Sequence, residues 1–146
     1  MSLIPAKDYK MFMKHMPIVC IDGVVVNENG EYLLVKRKNE PLKGKYWIPG
    51  GRLLKNEKLE DAIKRKMNQE LGVDVKVEKL LGFFEIVFDK TSFNISRGFH
   101  AISFVFLLRL LKHPIKLDNQ SSDWKWSKKL PRKLQEIIQP FNGKPL

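Results

Sequence analysis

At 146 residues the chain has the length of one domain, and a hydrophobic share of 43% supplies enough apolar material for a core, which excludes a disordered chain. Its 27 basic residues against 16 acidic ones leave a formal net charge of +11, a field that favours nucleotides, nucleotide sugars or nucleic acid as partners. The excess is scattered lysine with no compact block of arginine and aromatic residues, so nucleic acid is not the expected partner, and the longest apolar runs are too short or too interrupted to cross a bilayer.

In chain order, apolar residues at helical spacing predict a short helix over Ala6–Met16, stopped by Pro17. IVCIDGVVV (Ile18–Val26) predicts a strand, Asn27 to Gly30 a turn, and Glu31–Lys38 the returning strand. A loop with Pro41 and Gly44 leads to a short extended piece at Tyr46–Ile48, then to Pro49-Gly50-Gly51, taken as a turn. Asn56 is the expected cap of the next helix, with Leu59, Ile63 and Met67 as its core stripe and Gly72 as its stop. Val73–Phe88 predicts a strand with a bulge at Gly82, and Phe99–Leu110 a strand apolar on both faces. DWKW at Asp123–Trp126 predicts a short strand, and Pro131 opens a last helix that Pro140 ends. No repeat or linker is visible, so the expectation is a single α/β domain over 1–146, a mixed sheet with helices on both faces.

The lone Cys20 cannot form an internal disulfide, and no secretory signal is visible, so a reducing, cytoplasmic setting is expected. Its apolar neighbours make it a buried structural thiol rather than a reactive one.

The chemistry concentrates in GGRLLKNEKLEDAIKRKMNQELG, Gly50 to Gly72. Residues three and four apart share a helix face, so Lys66, Gln69 and Glu70 are expected to be neighbours. One carboxylate, one amide and one ammonium carry no net charge. Such a face suits at most one Mg²⁺ ion, held by Glu70 and other oxygens. Two readings of Glu70 stand at this point: a metal ligand, or an exposed ion pair to Lys66. Gly50-Gly51 lets the backbone approach an anion or offer a carbonyl to a metal. Asp22 interrupts an apolar strand, where an unpaired carboxylate is costly. It is either a site residue or partnered by a nearby lysine.

Gly51, five residues, Glu57, seven residues, Arg65, then Met67, Glu70, Gly72 and Val73 match the Nudix box, and Trp47-Ile48-Pro49-Gly50 before it also resembles that family. Lys66 and Gln69 replace two of the family's helix glutamates. The GDP-mannose mannosyl hydrolases are a Nudix subgroup lacking the same two, and the chain is similar to them from about Leu3 to Trp126, including Asp118-Asn119-Gln120. The resemblance implies a Nudix-type α/β/α sandwich with a mixed sheet. It implies one Mg²⁺ (Mn²⁺ as substitute) held by the Gly50 carbonyl, Glu70 and Gln120. It further implies Arg37 and Arg52 on the diphosphate and Asp22 at the sugar. A homodimer is implied too, in which the segment 1–17 reaches the partner's site through Leu3, Ile4 and Tyr9. Box arginines of the family order the helix, which implies an Arg65–Glu57 pair.

The implied reaction is hydrolysis of a nucleoside diphosphate sugar of the GDP-mannose kind. Water attacks the anomeric carbon while the metal, Arg37 and Arg52, helped by Lys38 or Lys66, stabilise the departing diphosphate. The subgroup's base is a histidine at the position of Ser121, and serine is far too weak a base. Asp123, Glu85 and His100 are the substitutes within reach, although His100 is expected to be buried and structural, and His15 and His113 exposed and incidental. An aromatic hydroxyl of the subgroup becomes Phe99 and a histidine becomes Ile86. The competing expectations are P–O–P cleavage of a nucleotide or nucleotide sugar, and a Nudix domain that binds without catalysis.

Overall fold

The structure, a computed structural model, describes residues 4–89, 98–111, 114–118 and 120–136. In chain order it contains α1 (Ala6–His15), β1 (Ile18–Val26), β2 (Tyr32–Arg37), β3 (Tyr46–Trp47), β4 (Gly50–Arg52), α2 (Leu59–Leu71), β5 (Val75–Phe88), β6 (Phe99–Leu110) and β7 (Ser121–Ser127), then a helical turn over 132–136. No helix among the described residues is long and apolar enough to cross a membrane. The second part of the last expected helix lies outside the described residues.

The β1–β2 hairpin forms where the sequence places it. Asn27 Oδ1 accepts the amides of Asn29 and Glu31, both at 2.9 Å, and Gly30 takes a φ of 73°. The two strands pair at Val26↔Tyr32 and then separate into different neighbourhoods. β1 runs parallel to β6 and antiparallel to β4, while β2 lies antiparallel to β3 and β7; β5 extends β6 at the other edge. The result is a seven-stranded mixed sheet whose hairpin joins two strand groups.

Period-two alternation along β1 divides the core. Ile21 and Val25 face α2, where Ala62, Ile63, Met67 and Leu71 meet them with Phe106 and Leu108. Val24 faces the opposite layer of Leu34, Trp47, Phe84, Val105 and Leu134. Helices therefore cover both faces, as expected from the sequence.

Three local expectations need correction. Asn56 does not cap α2: Lys58 occupies the cap position without a side-chain bond, and Asn56 sits in the preceding turn at a φ of 66°. The loop is held instead by Glu57, which accepts the Leu54 amide at 3.1 Å and a forked bond from Arg65. Gly50-Gly51 is not only a turn, because with Arg52 it forms β4 against Cys20, Ile21 and Asp22. β7 begins at Ser121, two residues before the expected start, because β2 offers it partners along its whole length. The Gly72 stop and the Gly82 bulge both stand, at φ values of 65° and 144°.

Candidate active site

Strand register builds the floor of a cleft of about 750 Å³. Residues paired across a sheet share a face, so Phe84, Ser103, Cys20 and Arg52 form one row across β5, β6, β1 and β4. Val105, Asp22 and Gly50 form the next row, and Ile86 with Ala101 the row on the other side. The floor thus grades from carbon at β5–β6 to charge at β1–β4. Ile4, Tyr9 and Met13 from the N-terminal segment line the same cleft, so α1 lies against the site of its own chain. Leu3 lies outside the described residues.

At the charged end the residues singled out from the sequence come together. Arg37, Arg52, Asp22, Gly50, Lys66 and Gln120 all line the cleft. Arg37 Nε donates to the Pro41 carbonyl at 2.7 Å, which fixes the guanidinium at the cleft wall. The Arg52 guanidinium lies 4.0 Å from the centroid of the Tyr9 ring. Burial pushes the Tyr9 phenol up to about 12, partly offset by Arg52. Cys20, half-buried, is pushed up to about 12 by burial and by Asp22 beside it, so it is no nucleophile.

Asp22 is partnered, but by Ser103 rather than by a lysine: the serine hydroxyl donates to Asp22 Oδ2. Burial pushes this carboxyl up to about 6, against the lowering effect of Ser103, Arg37 and Lys66. The sequence reading missed Ser103. Its signal was there, a polar residue interrupting FHAISFVF, but its meaning depends on a parallel β1–β6 register that no local pattern reveals.

Glu70 is not an exposed ion-pair partner. It is 4% exposed, and Lys66 is 8% exposed, both facing the protein rather than solvent. Gln69 points elsewhere, accepting from Arg65 at 3.1 Å, so the expected trio is a pair. The Gly50 amide donates to Glu70 Oε2 at 3.3 Å and the Ser121 hydroxyl to Oε1 at 3.4 Å. Glu70 stands behind the Gly50 backbone, and burial pushes its carboxyl up to about 7; Lys66 lowers it and Asp118 raises it. Asp118 is a second residue that went unassigned in the sequence.

This environment fits a divalent cation. A buried carboxylate with two long hydrogen bonds and no ion pair among the described residues leaves charge uncompensated. Gly50 and Gln120 both line the cleft, and a backbone carbonyl and a side-chain amide oxygen are hard donors of the kind that suits Mg²⁺. The chain brings Gln120 there by anchoring its loop to the end of α2: the Lys116 and Asp118 amides donate to the Leu71 and Glu70 carbonyls. Asp118 Oδ1 then accepts the Gln120 amide at 2.9 Å. Among the described residues no three acidic, histidine or cysteine side chains gather into a metal-holding cluster.

The expected substitutes for a missing base do not reach this end. Asp123 accepts the Tyr46 hydroxyl at 2.8 Å on the exposed surface. His100 is half-exposed rather than buried, and pairs with exposed Glu85 at 2.6 Å. Ser121 is 4% exposed with its hydroxyl on Glu70, so it supports that carboxylate and does not face water. His15 is exposed as expected, and His113 and Asn119 lie outside the described residues.

Gly50 is required for this arrangement. A Cβ there would overlap Asp22 Oδ1 and the Ile21 carbonyl. Gly50→Ala is therefore expected to lower stability by about 1–3 kcal/mol, read as a drop in urea midpoint with an unchanged slope. A variant as stable as the parent would show that β4 can move away from β1.

A profile of the NUDIX domain matches residues 16–129. The chain is 36% identical over 122 residues to the low-salt glycan biosynthesis protein Agl8 of Haloferax volcanii, covering 84% of this chain and 78% of that protein. It is 33% identical over 123 residues to an ADP-ribose pyrophosphatase of Methanocaldococcus jannaschii, covering 84% and 69%. A crystal structure of a MutT protein from Methanosarcina mazei superposes with a TM-score of 0.72 at 21% identity, covering 88% of this chain and 96% of that one. The match over residues 16–129 and the likeness to these relatives show that this chain belongs to the Nudix family.

Proposed function

We propose that this Nudix chain is an Mg²⁺-dependent hydrolase of nucleoside diphosphate sugars of the GDP-mannose kind, with water attacking the anomeric carbon. The observation that carries the reading is the buried carboxylate of Glu70 behind the Gly50 backbone, beside a cleft lined by Arg37, Arg52 and Lys66. A metal held by Gly50, Glu70 and Gln120 would neutralise charge on the diphosphate. Arg37 and Arg52 bind its remaining oxygens and stabilise the charge that grows as the sugar's C1–O bond breaks. The chemistry asks most of a leaving-group stabiliser and least of a strong base, which matches what the cleft contains.

Asp22 and Glu40 are the carboxylates among the residues that line the cleft, and Asp22 is the one in the row beside Gly50. With Oδ2 held by Ser103, it is the group available to accept the proton of the attacking water. The balance is then complete: the water oxygen joins C1, the C1–O bond electrons leave with the nucleoside diphosphate, and the proton goes to Asp22. Relatives active in glycan biosynthesis and on ADP-ribose agree with a nucleotide-sugar substrate. The second of these favours an alternative, cleavage of P–O–P in the same substrates.

Hydrolysis of GDP-mannose in ¹⁸O-water decides between them. The expected result is label in the free sugar; label in phosphate overturns carbon attack and leaves the pyrophosphatase reading. A homodimer in the cytoplasm completes the proposal. Its sedimentation measures the oligomer directly, and a monomer that retains full activity would show that α1 completes its own chain's site.

A further inference from the structure

We infer that the sugar end of the cleft selects a deoxygenated hexose, one that lacks hydroxyls where ordinary hexoses carry them. This rests on the nucleotide-sugar reading above and deepens it. The β5–β6 half of the floor offers carbon: Phe84, Ile86, Phe88, Phe99 and Ala101 line it among the described residues. Phe88 and Phe99 pair across the strands, their rings 6.5 Å apart and 14° from parallel, forming a flat apolar wall. The hydroxyl that this half does contain, on Ser103, is committed to Asp22. Lys133, whose ammonium lies 5.0 Å from the Phe88 ring centroid, is not among the lining side chains.

The consequence follows from desolvation. A sugar hydroxyl brought against this wall loses its water partners and meets no donor or acceptor side chain among the described residues that form it. A CH₃ or CH₂ in its place loses nothing and gains apolar contact. A nucleobase would stack on these rings by its face but keep an exocyclic amino and carbonyl edge that needs partners, whereas a sugar can be deoxygenated and remain a glycosyl donor. The diphosphate is fixed by Arg37 and Arg52 at the other end, so the ring attached to it is the part that reaches β5–β6.

The test uses matched pairs that share base and configuration: GDP-mannose against its 6-deoxy counterpart, and UDP-glucose against UDP-6-deoxyglucose, each with Mg²⁺. An apolar pocket rejects an added hydroxyl by on the order of 10- to 100-fold, and that is the expected advantage in kcat/KM for the deoxy member of at least one pair. A ratio at or below one in both pairs overturns the inference while leaving the hydrolase reading intact. If no member is turned over, the hydrolase reading fails, and the same ratio taken from calorimetric dissociation constants decides this inference by the same criterion. Phe99→Tyr returns a hydroxyl to the wall and is expected to shrink the deoxy advantage. An unchanged ratio in that variant, with the fold retained by circular dichroism, places the sugar elsewhere and also overturns it.

Discussion

Replacing Glu70 with glutamine is expected to lower Mg²⁺-dependent kcat/KM by about 10²–10³-fold, the scale on which a single preorganised electrostatic group contributes. The substitution keeps volume and shape, so the packing of α2 against the sheet is not at stake. It removes a formal negative charge next to Lys66, while Asp22 and Asp118 keep theirs nearby. An amide oxygen can still approach a cation, so the Mg²⁺ concentration giving half-maximal rate rises as well, and raising Mg²⁺ recovers part of the loss. A variant with the parent's rate and the parent's Mg²⁺ requirement would separate Glu70 from the metal altogether.

The same residue makes stability depend on pH with a definite sign. An ordinary glutamate titrates near 4.5, and burial holds the folded Glu70 carboxyl at about 7. Between those values the folded chain carries the proton and the unfolded chain has lost it. The unfolded state binds fewer protons there, so stability falls as pH rises through the window. Below about pH 4.5 both states are protonated and the contribution vanishes. Asp22, raised from 3.8 to about 6 by its own burial, adds slope in the same direction at lower pH. Each pKa unit corresponds to about 1.4 kcal/mol, so the Glu70 contribution is on the order of 3–4 kcal/mol at its limit. Urea unfolding without divalent metal should therefore give a less stable protein at pH 7.5 than at pH 5, with a smaller difference in Glu70→Gln. Adding Mg²⁺ at pH 7.5 should raise the parent more than the variant, which binds the ion more weakly. Equal slopes in both proteins would mean that the carboxyl is solvated.

What the sequence discloses and what it withholds divide along a physical line. Local signals were sufficient for β1, for the hairpin turn at Asn27 and for the end of α2 at Gly72, because the turn geometry resides in the residues themselves. The resemblance to the Nudix box implied the Glu57–Arg65 pair and a shared site for Glu70 and Gly50, and the structure puts each pair in hydrogen-bond contact. Contacts between elements far apart in sequence were not legible. Ser103 meets Asp22 across 81 positions, and Ser121 reaches Glu70 across 51. Ser103 looks like an ordinary polar residue in a strand until register places it, and Ser121 stood out only as the position of the subgroup's histidine, not as a partner of Glu70. Asn56 misled for a related reason: it has the right chemistry for a cap, but the Glu57–Arg65 pair holds the chain in a turn that puts Lys58 there instead. The helix face misled in a smaller way. Lys66, Gln69 and Glu70 share a side by spacing, yet only Lys66 and Glu70 are buried, because Gln69 is drawn toward Arg65.

Arg37→Ala is the second large loss to expect, about 10²–10³-fold in kcat, from removing a charge aimed at the departing diphosphate. Two features of its setting give the prediction a distinctive form. Arg37 closes β2 at a register shift against β7, where its partner is Ser121, so its backbone belongs to the same edge that carries Gln120. Its amide accepts no freedom either, donating to the Lys45 carbonyl at 3.0 Å while its own carbonyl takes the Gly44 amide at 2.8 Å. The backbone is thus held independently of the side chain, and truncation should leave the strand in place. Arg37→Lys then becomes informative: lysine restores the charge but cannot anchor on the Pro41 carbonyl and still present a planar pair of donors to a diphosphate. The lysine variant is expected to recover no more than about a tenth of the parent kcat, with KM for the nucleotide sugar closer to normal than kcat, since charge attracts the ground state while oriented donors serve the transition state. Full recovery by lysine would reduce Arg37 to a source of attraction and shift the work of leaving-group stabilisation to Arg52 and the metal.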